Sequence, residues 1–302
     1  MVTGLVGCAG LEDPSERTTF VQADHDQVDL LWVVDDSSAF METVQRRLAD
    51  AVPVIVEPLR RLDVRMAVLP TTVGASLDPV SFRGDEADLD WLADRLQVGA
   101  DGSDREQGLQ VALQALDPAR GFVRTEGHLV VVFVSDEDDC SDQGKLAGTL
   151  GSACYTAANR LEPVVTYLAA YDALHDGALN RTTVVSIGAG AGSSCPLGLP
   201  QDRYAEVAEA TGGPLLDLCA TDQTENLRTI ARHAAGQRQV WRLPEPAYAP
   251  SLRVTVDATP VDDVAYEPEG WQVRFFQPHV PEPGAVIELS YEIDSWFSPP
   301  TP

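Results

Sequence analysis

The stretch "VDLLWVVDDSSAF", Val28 to Phe40, constrains this chain more than any other: a mostly apolar run to Val34 ends abruptly in two aspartates and two serines. The run does not alternate between apolar and polar residues, so it predicts a strand buried on both faces. Strands of that kind belong to parallel sheets covered by helices. A second run, "GHLVVVFVSDEDD", has the same character and again ends in acids. Both predicted strands concentrate their charge where they leave the core.

The segments between and after these strands supply the covering helices. In "SSAFMETVQRRLADAV", Phe40, Val44, Leu48 and Val52 recur at four-residue steps, which predicts an amphipathic helix with its arginines on the far side. "LDVRMAVLP", "RTTVVSIGAG" and "PLLDLC" read as further strands. "DREQGLQVALQAL" and "NRLEPVVTYLAAYDAL" read as helices, as do "DRYAEVAEATGG", ended by glycine, and "TDQTENLRTIARHA", capped by Thr221 or Asp222. Alternation of strand and helix predicts an α/β fold with a doubly wound, mostly parallel sheet over residues 27–238. A chain of 302 residues, 44% hydrophobic, can bury such a core and a smaller second one.

From about Val240 the pattern changes to short strands separated by Pro and Gly, entered through the Pro-rich "LPEPAYAP". This predicts a small all-β domain over 239–295, followed by a loose tail at 296–302. Trp241, Trp271 and Trp296 with Phe275 and Phe276 are read as core of that domain, the alternative being a carbohydrate platform.

Charge removes one class of function. With 47 Asp and Glu against 21 Lys and Arg, the formal net charge is -26 and no basic block is present. Such a surface repels nucleic acid and anionic membranes, and it favours cations or basic partners.

Of five cysteines, Cys140, Cys154, Cys195 and Cys219 lie in the body of the chain, with no CxxC pair and no nearby His to suggest zinc. Four cysteines allow three pairings, and sequence proximity favours Cys140 with Cys154 and Cys195 with Cys219. Disulfides imply an exported protein; the alternative is four buried thiols in a cytoplasmic chain. Cys8 stands apart. Leu5-Val6-Gly7-Cys8 resembles the lipobox of bacterial lipoproteins, which implies lipidation at Cys8, residues 1–26 as lipobox and tether, and a place in the bacterial cell envelope. The alternative is a buried cysteine near the terminus. No stretch approaches the roughly 20 apolar residues of a membrane-spanning helix.

In a doubly wound sheet, ligands bind outside the carboxyl ends of the strands. Asp35, Asp36 and Ser37 end one predicted strand, and Ser135 to Asp139 end another. Carboxylates brought together there repel one another unless a cation sits between them. Oxygen ligands without His or Cys point to Mg²⁺, Mn²⁺ or Ca²⁺.

These residues carry a family resemblance. "LLWVVDDSSAF" resembles the opening of a von Willebrand factor A (vWA) domain, whose first strand ends in Asp-x-Ser-x-Ser, the core of the metal-ion-dependent adhesion site. "DGSDREQGLQVAL" is similar to that family's second loop, with Ser103 in place of a Thr, and "VVFVSDEDDCS" matches its third loop at Asp136. The resemblance spans about residues 28 to 236. It implies Asp35 and Ser37 as direct metal ligands, Ser103 as a hydroxyl ligand and Asp136 as a ligand through water. The chain departs from the pattern at Ala39, where the third hydroxyl should stand, and reading the motif as Asp36-x-Ser38-x-Phe40 does not restore it.

Two other constellations are weaker. Gly188-x-Gly190-x-Gly192 has the wrong spacing for a phosphate cradle and is read as a loop. Asp136, Asp138 and Asp139 could serve acid and base roles in metal-dependent hydrolysis, but no His, Lys or nucleophilic Ser with a base accompanies them. The expectation is a non-enzymatic module, similar to vWA-domain bacterial lipoproteins, that presents a cation to a carboxylate of a protein partner. The alternative is a scaffold with a degenerate, metal-free site.

Overall fold

A computed structural model describes residues 15–22, 25–149, 151–175, 181–189, 195, 198–199, 201–237, 239–276 and 278–294. Cys8, Gly190, Gly192 and Trp296 lie outside them. The chain divides into one unit of Ala23–Arg238 and a second made from Met1–Gln22 with Gln239–Pro302.

The first unit is built on a six-stranded sheet. Its strands are β2 (Gln27–Val34), β3 (Asp63–Pro70), β4 (Val80–Phe82), β5 (His128–Val134), β6 (Thr182–Gly188) and β7 (Leu215–Asp217), in the order β4-β3-β2-β5-β6-β7. All neighbours pair in parallel except β4, which is antiparallel on β3. The apolar runs read from the sequence are central: every residue of β5 is buried, as is β2 from Val28 onward.

Both faces of the sheet are covered. Leu30, Trp32 and Val34 pack with Met41, Val44 and Leu48 of α1 (Ala39–Ala51), with Leu92, and with Leu227 and Ile230. Leu31 and Val33 point the other way, into a core with Leu109, Tyr167, Tyr204 and Val207. Alternate residues of one strand thus feed two cores, which is why the run cannot alternate in polarity. Asp29 is the polar exception inside β2; it sits 2.8 Å from the Arg124 guanidinium at the amino end of the sheet.

Some elements differ from their sequence expectation. The helix expected over "DREQGLQVALQAL" begins only at Gly108 and ends at Ala115. The one expected over "NRLEPVVTYLAAYDAL" begins after Pro163 and covers Val164–Ala173, because proline lacks the donor and restricts its predecessor. A helix at Glu86–Arg95, capped by Asp85, was not anticipated: acids and alternating polar residues obscure its period. Disulfides join Cys140 to Cys154 and Cys195 to Cys219, with Cα separations of 5.2 and 5.3 Å.

The second unit holds a four-stranded sheet, β1-β13-β9-β10, and a three-stranded one, β11-β12-β8. Here β1 is Ser15–Val21, β8 Val240–Arg242, β9 Arg253–Val256, β10 Thr259–Pro260, β11 Tyr266–Glu269, β12 Gln272–Phe275 and β13 Val286–Glu292. Trp241 and Phe275 are buried in its core with Ile287 and Leu289, whereas Phe276 is exposed. One sequence reading needs correction: Ser15–Val21 falls within the expected tether of residues 1–26, yet it pairs antiparallel with β13 along its length, Ser15 opposite Glu292 and Val21 opposite Val286. "SERTTFV" has only two large apolar residues, so its strand character depends on a partner from the far end of the chain.

Candidate functional site

The reversal of strand order at β2 places the site. The chain leaves β2 for β3 on one side and returns through β5 on the other, so a crevice opens at the carboxyl ends of β2 and β5. Register brings their termini level, with Val34 opposite Val134 and the Asp35 amide donating to the Val134 carbonyl (2.8 Å). The next residues on each strand, Asp35 and then Ser135-Asp136, therefore meet.

Asp35 is fully buried and held at both carboxylate oxygens. The Ser37 amide donates to Oδ1 (2.8 Å) and the Ser135 hydroxyl donates to Oδ2 (2.7 Å). Gln45, on α1, bridges the Asp35 carbonyl and the Gly99 carbonyl, each at 2.8 Å, and accepts from the Gly99 amide. This one side chain ties the β2 terminus to the loop that carries Ser103.

Asp36 faces the end of β3. The Thr71 and Thr72 hydroxyls donate to its Oδ1 at 3.3 and 2.9 Å, and Thr72 in turn accepts from the Ser103 amide (3.1 Å). The Gly102 amide donates to the Asp36 carbonyl (2.6 Å), and a Cβ at position 102 would fall 2.3 Å from the Asp36 carboxylate. Any side chain at 102 would have to displace this carboxylate from the two threonines that hold it.

The residues expected as ligands lie along one chain of contacts at these strand ends. Asp136 lies within reach of the Asp35 charge, Ser37 is two residues beyond Asp35 with its amide on that carboxylate, and Ser103 is joined to the same strand end through Thr72 and Asp36. Ser103 Oγ accepts from the Arg105 amide (3.2 Å). Ser38, the alternative hydroxyl, caps α1 by accepting from the Met41 amide (3.2 Å). Ala39 opens α1 and is exposed.

Electrostatics show what the cluster lacks. Burial and the neighbouring Asp35 charge push the Asp136 carboxyl up to about 7, and Asp136 Oδ1 is buried without a hydrogen-bond partner. Glu137 is raised by burial and by Asp35, and Asp36 by burial first. No positive side chain is among the causes acting on Asp136, Glu137 or Glu106. The chemistry of the donor set, hard oxygens around carboxylates short of counter-charge, fits a divalent cation. Asp35 and Asp136 would hold it with the Ser37 and Ser103 hydroxyls. Among the described residues, no group of three or more His, Cys, Asp and Glu has the arrangement of a complete ligand cluster.

Asp139, weighed above as an acid or base, is a brace. Its carboxylate accepts from the Leu109 amide (3.0 Å), from the Ser141 amide (3.0 Å) and hydroxyl (2.7 Å), and from Arg203 Nε (3.1 Å). It joins the β5 terminus to two helices. Glu106 was missed. It is 1% exposed, in the loop before Gly108, although "DREQGLQVAL" assigns it to a helix and nothing in its neighbours Arg105 and Gln107 signals burial.

No family model matches the sequence, and no curated protein matches it. Among solved structures, the chain is similar to the pilus adhesin SpaC from Lactobacillus rhamnosus GG, at 14% identity and a TM-score of 0.44, over 94% of this chain and 42% of that one. It is also similar to proximal thread matrix protein 1 (PTMP1) from the mussel byssus, at 13% identity and a TM-score of 0.43, over 76% of this chain and 52% of that one. The chain spans about half or less of the length of these structures. The class defined by fold and strand ends is a mixed α/β protein with a largely parallel sheet and separate antiparallel sheets.

Proposed function

We propose that the α/β unit is a vWA-type binding module that holds a divalent cation, Mg²⁺, Mn²⁺ or Ca²⁺, at the ends of β2 and β5 and presents it to a carboxylate of a protein partner. The role is adhesion or assembly, without catalysis. The observation that carries the reading is the meeting of Asp35 and Asp136 at the switch point, with Asp136 Oδ1 buried and unpartnered. An oxygen in that state costs free energy until something binds it.

Export to an oxidising compartment is supported by the two disulfides. Attachment to a bacterial envelope through Cys8 rests on the Leu5–Cys8 motif alone. Among the described residues, no helix is long and apolar enough to cross a membrane.

The test is calorimetric titration of the full chain with MgCl₂, MnCl₂ and CaCl₂ beside Asp35→Ala. The parent should bind at least one of the three and the variant none. A parent that binds none removes the cation from the reading and leaves a scaffold whose site only keeps the fold.

A further inference from the structure

Every sheet edge among the described residues is blunt except one. The six-stranded sheet ends in β4 and β7, of three residues each. The three-stranded sheet ends in β8, of three residues, and in β11, of four with Pro268 among them. The four-stranded sheet ends on one side in β10, of two residues, one of them Pro260. Short strands and prolines keep foreign strands from pairing at an edge. Its other edge, β1, has neither protection: the seven residues of Ser15–Val21 include no Pro or Gly and run in unbroken register on β13.

The register shows which backbone groups are open. Just beyond β1 the Gln22 amide donates to the Ala285 carbonyl (2.8 Å), in line with Val21 opposite Val286. Bonded and non-bonded pairs alternate along an antiparallel ladder, so Glu16, Thr18 and Phe20 bond towards β13. Ser15, Arg17, Thr19 and Val21 then turn their N–H and C=O groups to the outer edge. β13 agrees with this phase: the Val286 carbonyl accepts from the Asp257 amide and the Glu292 carbonyl from the Tyr248 amide, each at 2.8 Å, and neither is spent on β1. Among the described residues, no backbone group pairs with the outer edge of β1.

Side chains give this edge two unlike faces. Ser15, Arg17 and Thr19 are exposed, whereas Glu16, Thr18 and Phe20 are half-buried, and Phe20 packs on Trp241 with ring centroids 5.1 Å apart. On the exposed face Arg17 stands opposite Ser290, and the two line cavities of about 260 and 150 Å³ on either side of their row. Arg17 makes no ion pair among the described residues, although the chain has 47 acids to 21 bases. We propose that the outer edge of β1 accepts an extended segment of a protein partner as an added strand, with an Asp or Glu beside Arg17 and apolar residues at the alternate positions beside Phe20. Backbone bonds to the open groups supply affinity, and the alternating side chains supply selectivity. A second copy of the chain fits less well, because Ser15, Arg17, Thr19 and Val21 include no acid to meet Arg17 and each copy brings a net charge of -26. The edge belongs to the second unit alone and does not rest on the cation reading.

The test uses the full chain and a fluorescent peptide of Val286–Glu292, whose alternation is the one required: Ile287, Leu289 and Tyr291 are buried on one face, and Glu288 and Glu292 are exposed on the other. Fluorescence anisotropy should show the parent binding this peptide, and binding a copy with both glutamates changed to lysine about threefold or more weakly. Arg17→Glu should invert that preference. Thr19→Pro removes one outward N–H and leaves the bonds of Thr18 and Phe20 to β13 in place, so it should weaken binding about fivefold or more while melting close to the parent. A parent that binds neither peptide, or variants that bind as the parent does, overturns the proposal. So does a parent that sediments as a dimer which Thr19→Pro dissolves, since the occupant of the edge is then a second copy. If Thr19→Pro melts well below the parent, the inversion by Arg17→Glu decides alone.

Discussion

Replacing Asp139 by alanine should be among the most damaging single changes to the α/β unit. The side chain is fully buried and receives hydrogen bonds from the Leu109 and Ser141 amides, the Ser141 hydroxyl and the Arg203 guanidinium. Burial disfavours its charge, and Arg203 first among its partners offsets that. Removing one partner of a buried ion pair costs about 3–5 kcal/mol, because the other is left desolvated. Arg203 keeps the Glu162 carbonyl (2.7 Å) and a little solvent, which softens its loss. The orphaned amides act in the other direction, so the expectation stays near 4 kcal/mol. For a unit of this size that is a fall of roughly 8–16 °C in melting temperature. Asp139→Asn keeps the shape and some acceptors, and should lose about half as much. Urea denaturation followed by far-UV circular dichroism would measure both. A loss below about 1 kcal/mol for Asp139→Ala, the range of an exposed pair, would refute the brace.

Metal-free protein should become less stable as pH rises from about 4 to about 7. Asp136 is raised from 3.8 to about 7, so the folded state keeps a proton that the unfolded chain has released, and stability falls across that window. Asp136 alone contributes at most about 4 kcal/mol; denaturation in chelator across that range should show the fall, MnCl₂ should reduce it, and a flat or rising profile would contradict the site's electrostatics. Replacing both Cys140 and Cys154 by serine should cost about 3 kcal/mol through the opened loop, read by urea denaturation beside the parent. A double variant as stable as the parent would refute the loop-closure argument.

Much of the α/β unit was legible because its message is local. The runs of β2 and β5 report burial on both faces, the four-residue steps of α1 report one covered face, and the change of pattern near Val240 marks where helices stop. Asp35 and Asp136 could be paired from sequence because charge at the end of an apolar strand points to the end of a sheet. Other facts exist only in the folded chain. Ser15–Val21 becomes a strand because β13 presents a free edge from the opposite end of the sequence. Asp139 looks like its acidic neighbours, yet Arg203 and the Leu109 amide turn it into a brace. Glu106 has a surface residue's neighbours and is carried into the crevice by Cys140, Gly102 and Ser103. Periodicity records how each element meets its own surroundings, and it contains nothing about which distant backbone will draw a loop under a strand end; long-range pairing and packing decide that.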